Sequence, residues 1–152
     1  MITVKAFGIP LSPTPRTNRN RQIVGLGSKE WERWRDTISA AARLVAPAKP
    51  IDVPVLVHRL YCMPRPTRPS AKLPGFIPDL DKLNRASFDG LQFGGVLKND
   101  SRIVGGREIQ VYTKGTPGVM LMVYIAEEHD EVDNLRELQS AAALNLITRL
   151  TT

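Results

Sequence analysis

Four aspartates, Asp79, Asp81, Asp89 and Asp100, lie close together in the sequences PDLDKLNRASFDGL (78–91) and NDS (99–101). Carboxylates repel one another, so such a cluster needs something that offsets the repulsion, and a bound cation does so. Asp79, Asp81 and Asp100 offer oxygen ligands without histidine or cysteine, a set that suits a hard cation such as Mg²⁺ or Mn²⁺. Such an ion attracts phosphate and activates water for attack on phosphorus. These three aspartates are therefore candidate metal ligands.

A helix must position the first two of them. Pro78 and Asp79 are typical of the residues ahead of a helix, and the pattern predicts one from about Leu80 to Gln92. With Asp79 at the non-helical cap, its carboxylate and that of Asp81 converge beside the first turn. The eight residues from Phe93 to Asp100 can extend about 26 Å, more than the roughly 18 Å of the helix, so a turn at FGG permits Asp100 to return to the helix start. The predicted buried face of this helix comprises Leu80, Leu83, Ser87 and Leu91.

The same residues also admit a purely structural interpretation. In it, Asp79 caps the helix, and Asp81, Arg85 and Asp89 form ordinary pairs four residues apart. Spacing alone favours this interpretation slightly, because DxD is common and also occurs in sugar-nucleotide transferases. No nucleoside-binding signature accompanies the motif in this chain, which makes a transferase the weaker alternative.

Charge is unevenly distributed along the 152 residues, whose formal net charge is +6. Residues 127–152 carry six acids and two bases, which leaves residues 1–126 with 19 bases and nine acids, a charge of +10. Such an excess favours a polyanionic partner, most simply nucleic acid, although many basic proteins have no such partner. The candidate residues for binding its backbone are Arg16, Arg19, Arg21, Arg65, Arg68, Lys72 and Lys114.

The order of patterns predicts a mixed α/β domain over residues 1–126, with helices packed on a small sheet. Strands are expected at 2–9, at 51–63 and in RIVGGREIQVYTK and GVMLMVYIA, with a proline- and arginine-rich loop after the first. The 51–63 strand is apolar at nearly every position and is expected to be covered on both faces, with His58 and Cys62 as core groups. A helix after the cap residue Ser28 should bury Trp31 and Trp34.

Two segments stand apart from this domain. PRPTRPSAKLPGFIP (64–78) contains too many prolines for a helix or ladder, so it is either a solvated linker or a basic arm that orders on phosphates, with Phe76 as a wedge. Residues 127–152 form an acidic helical extension for packing or self-association, with an apolar stripe of Val132, Leu135, Leu138, Ala142, Leu146 and Leu150. One cysteine and no long apolar run lead us to expect a cytoplasmic protein.

The segment PDLDKLNRASFDGL…GVLKNDSRIVG resembles the signature of the RusA family of Holliday junction resolvases, in which DLDNL opens a helix and an aspartate follows about twenty residues later. The match is close over 79–104 and looser over 1–125. The resemblance implies a phage- or prophage-encoded homodimer that uses Mg²⁺ to nick four-way DNA junctions symmetrically, in recombination and repair. It also places Asp79, Asp81 and Asp100 at the positions of the essential carboxylates.

Two positions depart from that family pattern. Arg85 stands where the family has an essential lysine; it keeps the charge but does not readily exchange a proton, so we expect it to stabilise transition-state charge. Asn99 stands where a second aspartate is frequent, which changes the expected metal affinity. Lys82 is a candidate to compensate for the missing lysine, although it projects to a different side of the helix. The Arg85 departure supports an alternative from another class, a DNA-binding module without catalysis.

Overall fold

The computed structural model of the chain describes residues 1–11, 29–75 and 78–128, together with the backbone of 16–17 and 23–24. Ser28, Arg19, Arg21, Phe76 and the extension from residue 129 onwards lie outside the described residues. The helices and strands are β1 (Ile2–Phe7), β2 (Arg16–Thr17), β3 (Ile23–Val24), α1 (Lys29–Arg43), β4 (Val55–Pro64), α2 (Leu80–Phe93), β5 (Ile103–Gly105), β6 (Glu108–Thr113) and β7 (Gly118–Ile125).

A five-stranded mixed sheet forms the centre of the fold. Strand β7 lies between β1 and β4 and is antiparallel to both, while β5 and β6 pair in parallel with β4. Strands β2 and β3 form a separate two-stranded ladder inside the segment predicted as a loop. The predicted class, helices packed on a small mixed sheet, is confirmed.

Both helices pack on one face of the sheet. In α1, Trp31, Trp34 and Ile38 are buried at helical spacing, which confirms the two tryptophans as core residues. They join side chains of α2 and the sheet in one cluster, to which Val57 and Leu121 contribute. Burial of apolar side chains from both layers is the main force that joins helices to sheet.

Strand β4 differs from its prediction, because its side chains alternate in environment. Val57, Arg59 and Tyr61 are buried beneath the helices, whereas His58 and Cys62 are half-buried and point to the other face. A strand with two neighbours and helices on one side only needs no continuous apolar run to be stable. The described residues therefore cover β4 fully on one face, not on both.

The predicted strand RIVGGREIQVYTK is interrupted at Gly106. This glycine has φ 132°, a backbone conformation that side chains disfavour, and a Cβ there would lie 2.0 Å from the Val57 carbonyl oxygen. The backbone crosses close to β4 at this point, and Arg59 N–H donates to the Arg107 carbonyl at 2.8 Å. The chain consequently forms two strands, β5 and β6, along the same edge of β4.

Candidate functional site

Helix α2 spans Leu80–Phe93, one residue beyond the predicted end, and Asp79 is its N-cap. The Asp79 carbonyl accepts the N–H groups of Lys82 and Leu83 at 3.1 and 3.2 Å, so its backbone starts the helix. Its side chain makes no capping hydrogen bond. The structural interpretation required that bond, so the Asp79 carboxylate is not committed to capping and is exposed at the helix start.

Asp81 lies in the first turn, with a side chain that is 67% exposed. Its partner is Lys82, whose ammonium lies 2.8 Å from Asp81 Oδ2, so the expected pairing with Arg85 is replaced by one with the adjacent residue. The hydrogen bond from Lys82 lowers the pKa of the Asp81 carboxyl. Asp81, and more weakly Asp79, in turn raise the pKa of Lys82, so one ammonium feels both carboxylates. The cation beside Asp81 is therefore Lys82 and not Arg85, and Asp79 also acts on this ammonium.

Asp100 lies at the opposite end of α2. Its backbone N–H donates to Gln92 Oε1 at 3.0 Å, and it opens the 3₁₀ turn Asp100–Arg102. Gln92 follows Asp81 by eleven residues, which is roughly 16 Å along a helix axis. Because the chain turns at Gly95 (φ 79°) and runs beside the last turn, it does not return to the first one. The expected convergence of Asp100 with Asp79 and Asp81 is therefore corrected.

Asp100 acts electrostatically on Asp89, near the end of α2. Partial burial raises the pKa of Asp89; Arg85 opposes this shift, Asp100 adds to it, and Arg35 of α1 also opposes it. The acids thus form two groups, one at the start of α2 and one near its end. Within the described ranges, no group of three or more histidine, cysteine or acidic side chains stands at metal-binding separation.

The two oxygen donors at the start of α2 still fit Mg²⁺, because this ion is often held by one or two carboxylates and keeps several waters. Asp79, at the N-cap, and Asp81, in the first turn, both supply hard, exposed oxygens. Asp100 does not fit as a third ligand of the same ion in this arrangement, since its backbone is fixed to Gln92.

A polar network that the sequence patterns did not indicate joins α2 to the sheet. Tyr61 O–H donates to Asn84 Oδ1 at 3.0 Å, and Asn84 Nδ2 donates to Glu108 Oε2 at 2.6 Å. The same Glu108 oxygen lies 3.1 Å from Arg59 Nη2, and the Arg59 side chain is 7% exposed. Its guanidinium stacks 5.2 Å from the Phe88 ring centre. A charged residue inside the apolar run VLVHRLYCM was the available signal, because buried arginine is rare without a partner.

This network predicts a stability effect for Glu108→Ala. Removing the carboxylate leaves the buried guanidinium of Arg59 without its counter-charge and Asn84 without an acceptor, so unfolding free energy should fall by about 1–3 kcal/mol. Urea denaturation measures the change. Glu128→Ala, at an exposed glutamate, is the matched control and should stay within about 0.5 kcal/mol. Equal effects for the two variants would contradict the role given to Glu108.

A cleft of about 400 Å³ lies beside Asp79. Leu73–Gly75 form one wall, Pro78–Leu80 the second and Glu108–Gln110 the third. Gln110 Nε2 donates to the Pro78 carbonyl at 3.2 Å, which ties strand β6 to the residue that precedes the helix. Asp79 and Glu108 therefore both line this cleft.

The basic residues of the 64–78 segment lie near this cleft in the chain. Arg65, Arg68 and Lys72 are exposed, and the described part of the segment after Pro64 contains no helix or strand, as predicted. Lys72 directly precedes the cleft wall at Leu73. Lys114 is exposed in the connection between β6 and β7, and Arg16 belongs to β2, whose backbone alone is described.

The loop that carries Asp100 is fixed by Asp52, which no sequence pattern indicated. Asp52 Oδ2 accepts from Lys98 Nζ at 2.6 Å, and Asp52 Oδ1 accepts from Arg102 Nε at 2.9 Å, so it holds the chain on both sides of Asp100. Lys98 N–H also donates to the Ile51 carbonyl. These hydrogen bonds from Lys98 and Arg102 hold the pKa of the Asp52 carboxyl below its usual value.

Asp52→Asn is expected to loosen this loop. Because the folded pKa is lowered, the ion pairs contribute fully above the usual pKa of an aspartate and are lost as pH falls through the lowered value. At neutral pH the substitution should speed amide hydrogen exchange over residues 98–102 by up to roughly fivefold, the range of an exposed pair. Asp36→Asn, on α1, is the control. Unchanged exchange at 98–102 would show that Asp52 does not hold the loop.

No helix of the described residues is long and apolar enough to cross a membrane. Neither a scan against protein-family models nor a search of curated proteins found a match for this chain, so its function is argued from the residues and their geometry.

Proposed function

We propose that the chain is a Mg²⁺-dependent, structure-selective DNA endonuclease that acts on four-way junctions. The observation that carries the proposal is the helix start: Asp79 caps α2 with its backbone and leaves its carboxylate uncommitted. An exposed Asp81 follows two residues later. Together with the resemblance of residues 79–104 to RusA-type resolvases, this favours a metal site over a capping motif.

The roles follow from the positions of the side chains. Asp79 and Asp81 would hold the ion, which supplies Lewis-acid activation of water and phosphate. Arg85, exposed one turn beyond Asp81, would neutralise charge that develops on phosphate. Asp100 would act from the other end of α2, beside Asp89, on a separate part of the substrate or after a movement of its loop. Manganese is the expected substitute for magnesium.

Two copies of the chain form the proposed active species. A four-way junction has two-fold symmetry, and two symmetric nicks are most simply made by two related active sites. The resemblance also implies that a phage or prophage gene encodes the protein and that it acts in the bacterial cytoplasm. Its role there would be in DNA recombination and repair.

A second candidate function is a DNA-binding module without catalysis. The position of Asp100 favours it, because a site of three carboxylates is not assembled among the described residues. Both candidates require DNA binding, so Mg²⁺-dependent cleavage of a labelled junction separates them.

DNA binding through the 64–78 segment is tested by the double variant Arg65→Ala, Arg68→Ala. Each lost phosphate contact should reduce the magnitude of the negative slope of log affinity against log salt by about 0.9, so the pair should reduce it by about 2 and weaken junction binding at moderate salt. Fluorescence anisotropy at several salt concentrations measures both quantities. Arg33→Ala with Arg43→Ala removes two exposed arginines from α1 as a control. If both double variants lose the same junction affinity, the 64–78 segment is a solvated linker and not a DNA-binding arm.

A further inference from the structure

The face of the sheet opposite the two helices carries several apolar side chains, together with Thr3, Lys5, His58 and Tyr124. Val57 and Tyr61 of β4 and Leu121 of β7 point to the helices, so the side chains between them point the other way. Strand register sets Leu60 opposite both Met120 and Ile109. We call this surface the open face; it comprises Phe7, Leu60, Cys62, Ile109, Met120 and Met122.

Several apolar side chains of the open face are exposed to solvent. Phe7 is 64% exposed and Ile109 49%, while Leu60, Met120 and Met122 are half-buried. Among the described residues, both helices lie on the other side of the sheet. A contiguous apolar surface of this kind is typical of a docking site.

A groove of about 450 Å³ crosses the open face. Leu60, Ile109, Met120 and Met122 provide its apolar lining, and the lining also includes His58, Glu108 and the two arginines Arg59 and Arg107. Lys5 is exposed on β1 and pairs in register with Met120. The surface therefore suits an occupant with an apolar stripe and flanking acids.

The chain itself has such a segment at the right place. Strand β7 ends at Ile125, Ala126 N–H donates to the Pro54 carbonyl at 3.0 Å, and the described chain ends at Glu128 beside the start of β4. Residues 129–152 follow, with four acids, two bases and the apolar spacing noted above. As a helix, 24 residues extend about 36 Å. The width of four neighbouring strands is only about 14 Å, so the segment is long enough to cross the sheet.

We propose that residues 129–152 dock as an amphipathic helix on the open face of their own chain. The stripe that includes Leu138 and Leu146 would cover Leu60, Met120 and Met122, and the acids near its start would lie toward Arg107 and Lys5. A covalently attached segment has an effective concentration in the millimolar range, which favours it over a separate molecule. Docked there, the segment would leave α2, on the other side of the sheet, uncovered.

Cys62 is a built-in reporter of this docking. It is the single cysteine of the chain and lies on the open face, so a covering helix slows its reaction with a thiol reagent. In the full-length chain, Leu138→Asp with Leu146→Asp should speed the labelling of Cys62 about tenfold or more, because two charges in the apolar stripe oppose docking. Fluorescence of the buried Trp31 and Trp34 reports that the domain stays folded.

The matched control is Ser140→Asp with Thr148→Asp, which adds the same charges at the same spacing on the opposite side of the predicted helix. It should leave the labelling rate unchanged. Equal rates in all three proteins overturn the proposal, as does protection that increases with protein concentration, which would identify a second copy as the occupant. If the aspartate pair unfolds the domain, Leu138→Ala with Leu146→Ala must still accelerate labelling, and an unchanged rate there overturns it.

Discussion

Asp81→Asn is expected to reduce Mg²⁺-dependent junction cleavage by about 10²- to 10³-fold, the usual cost of removing one electrostatic group from a reaction centre. The substitution keeps the size of the side chain but removes a full charge where the cation must be held. Loss of a carboxylate also reduces repulsion of the phosphates, so junction binding should persist or tighten. The side chain is 67% exposed, so the fold should be unaffected.

Asp36→Asn provides a closely matched control for this effect. Asp36 is 64% exposed and pairs with the adjacent Arg35 at 2.9 Å, much as Asp81 pairs with Lys82 at 2.8 Å. It lies on α1, away from the helix start. Single-turnover cleavage of a labelled junction compares the two variants with the parent. If Asp81→Asn cleaves at the rate of Asp36→Asn, Asp81 is not a metal ligand, and the assignment of Asp79 loses its main support.

Gly106→Ala is expected to produce the largest loss of stability of the substitutions considered, about 3 kcal/mol or more. The new methyl group would lie 2.0 Å from the Val57 carbonyl oxygen, and φ 132° is strained for alanine. Relief requires β5 and β6 to move away from β4, with loss of ladder hydrogen bonds. Urea denaturation measures the shift in midpoint.

Gly75→Ala is the corresponding control, because a Cβ there would meet nothing within 4 Å. Its unfolding free energy should stay within about 0.5 kcal/mol of the parent. A loss below about 1 kcal/mol for Gly106→Ala would show that the approach of Gly106 to β4 is loose.

Local features of the fold followed well from the sequence. The predicted helix from about Leu80 to Gln92 was observed as Leu80–Phe93, because a proline, a cap residue and apolar spacing act within one or two turns. Trp31 and Trp34 were assigned to the core for the same reason and are 9% and 3% exposed.

Features that depend on contacts between distant parts of the chain could not be predicted from local sequence patterns. The position of Asp100 depends on Asp52, Ile51 and Gln92, of which the first two lie almost fifty residues away. The environment of Glu108 depends on Arg59, which lies on a parallel neighbouring strand. The length of the extended chain allowed Asp100 to approach the helix start. It could not show which residues Asp100 and its loop would contact.

Metal-dependent cleavage of branched DNA is tested with purified protein and a gel assay. Purified full-length protein is incubated with an end-labelled four-way junction or with linear duplex of the same sequence, in Mg²⁺ or in EDTA, and the products are separated on a denaturing gel. We predict paired nicks in the junction with Mg²⁺, none with EDTA, and little cutting of the duplex. Tight junction binding without Mg²⁺-dependent nicks would contradict the claim and leave a DNA-binding module.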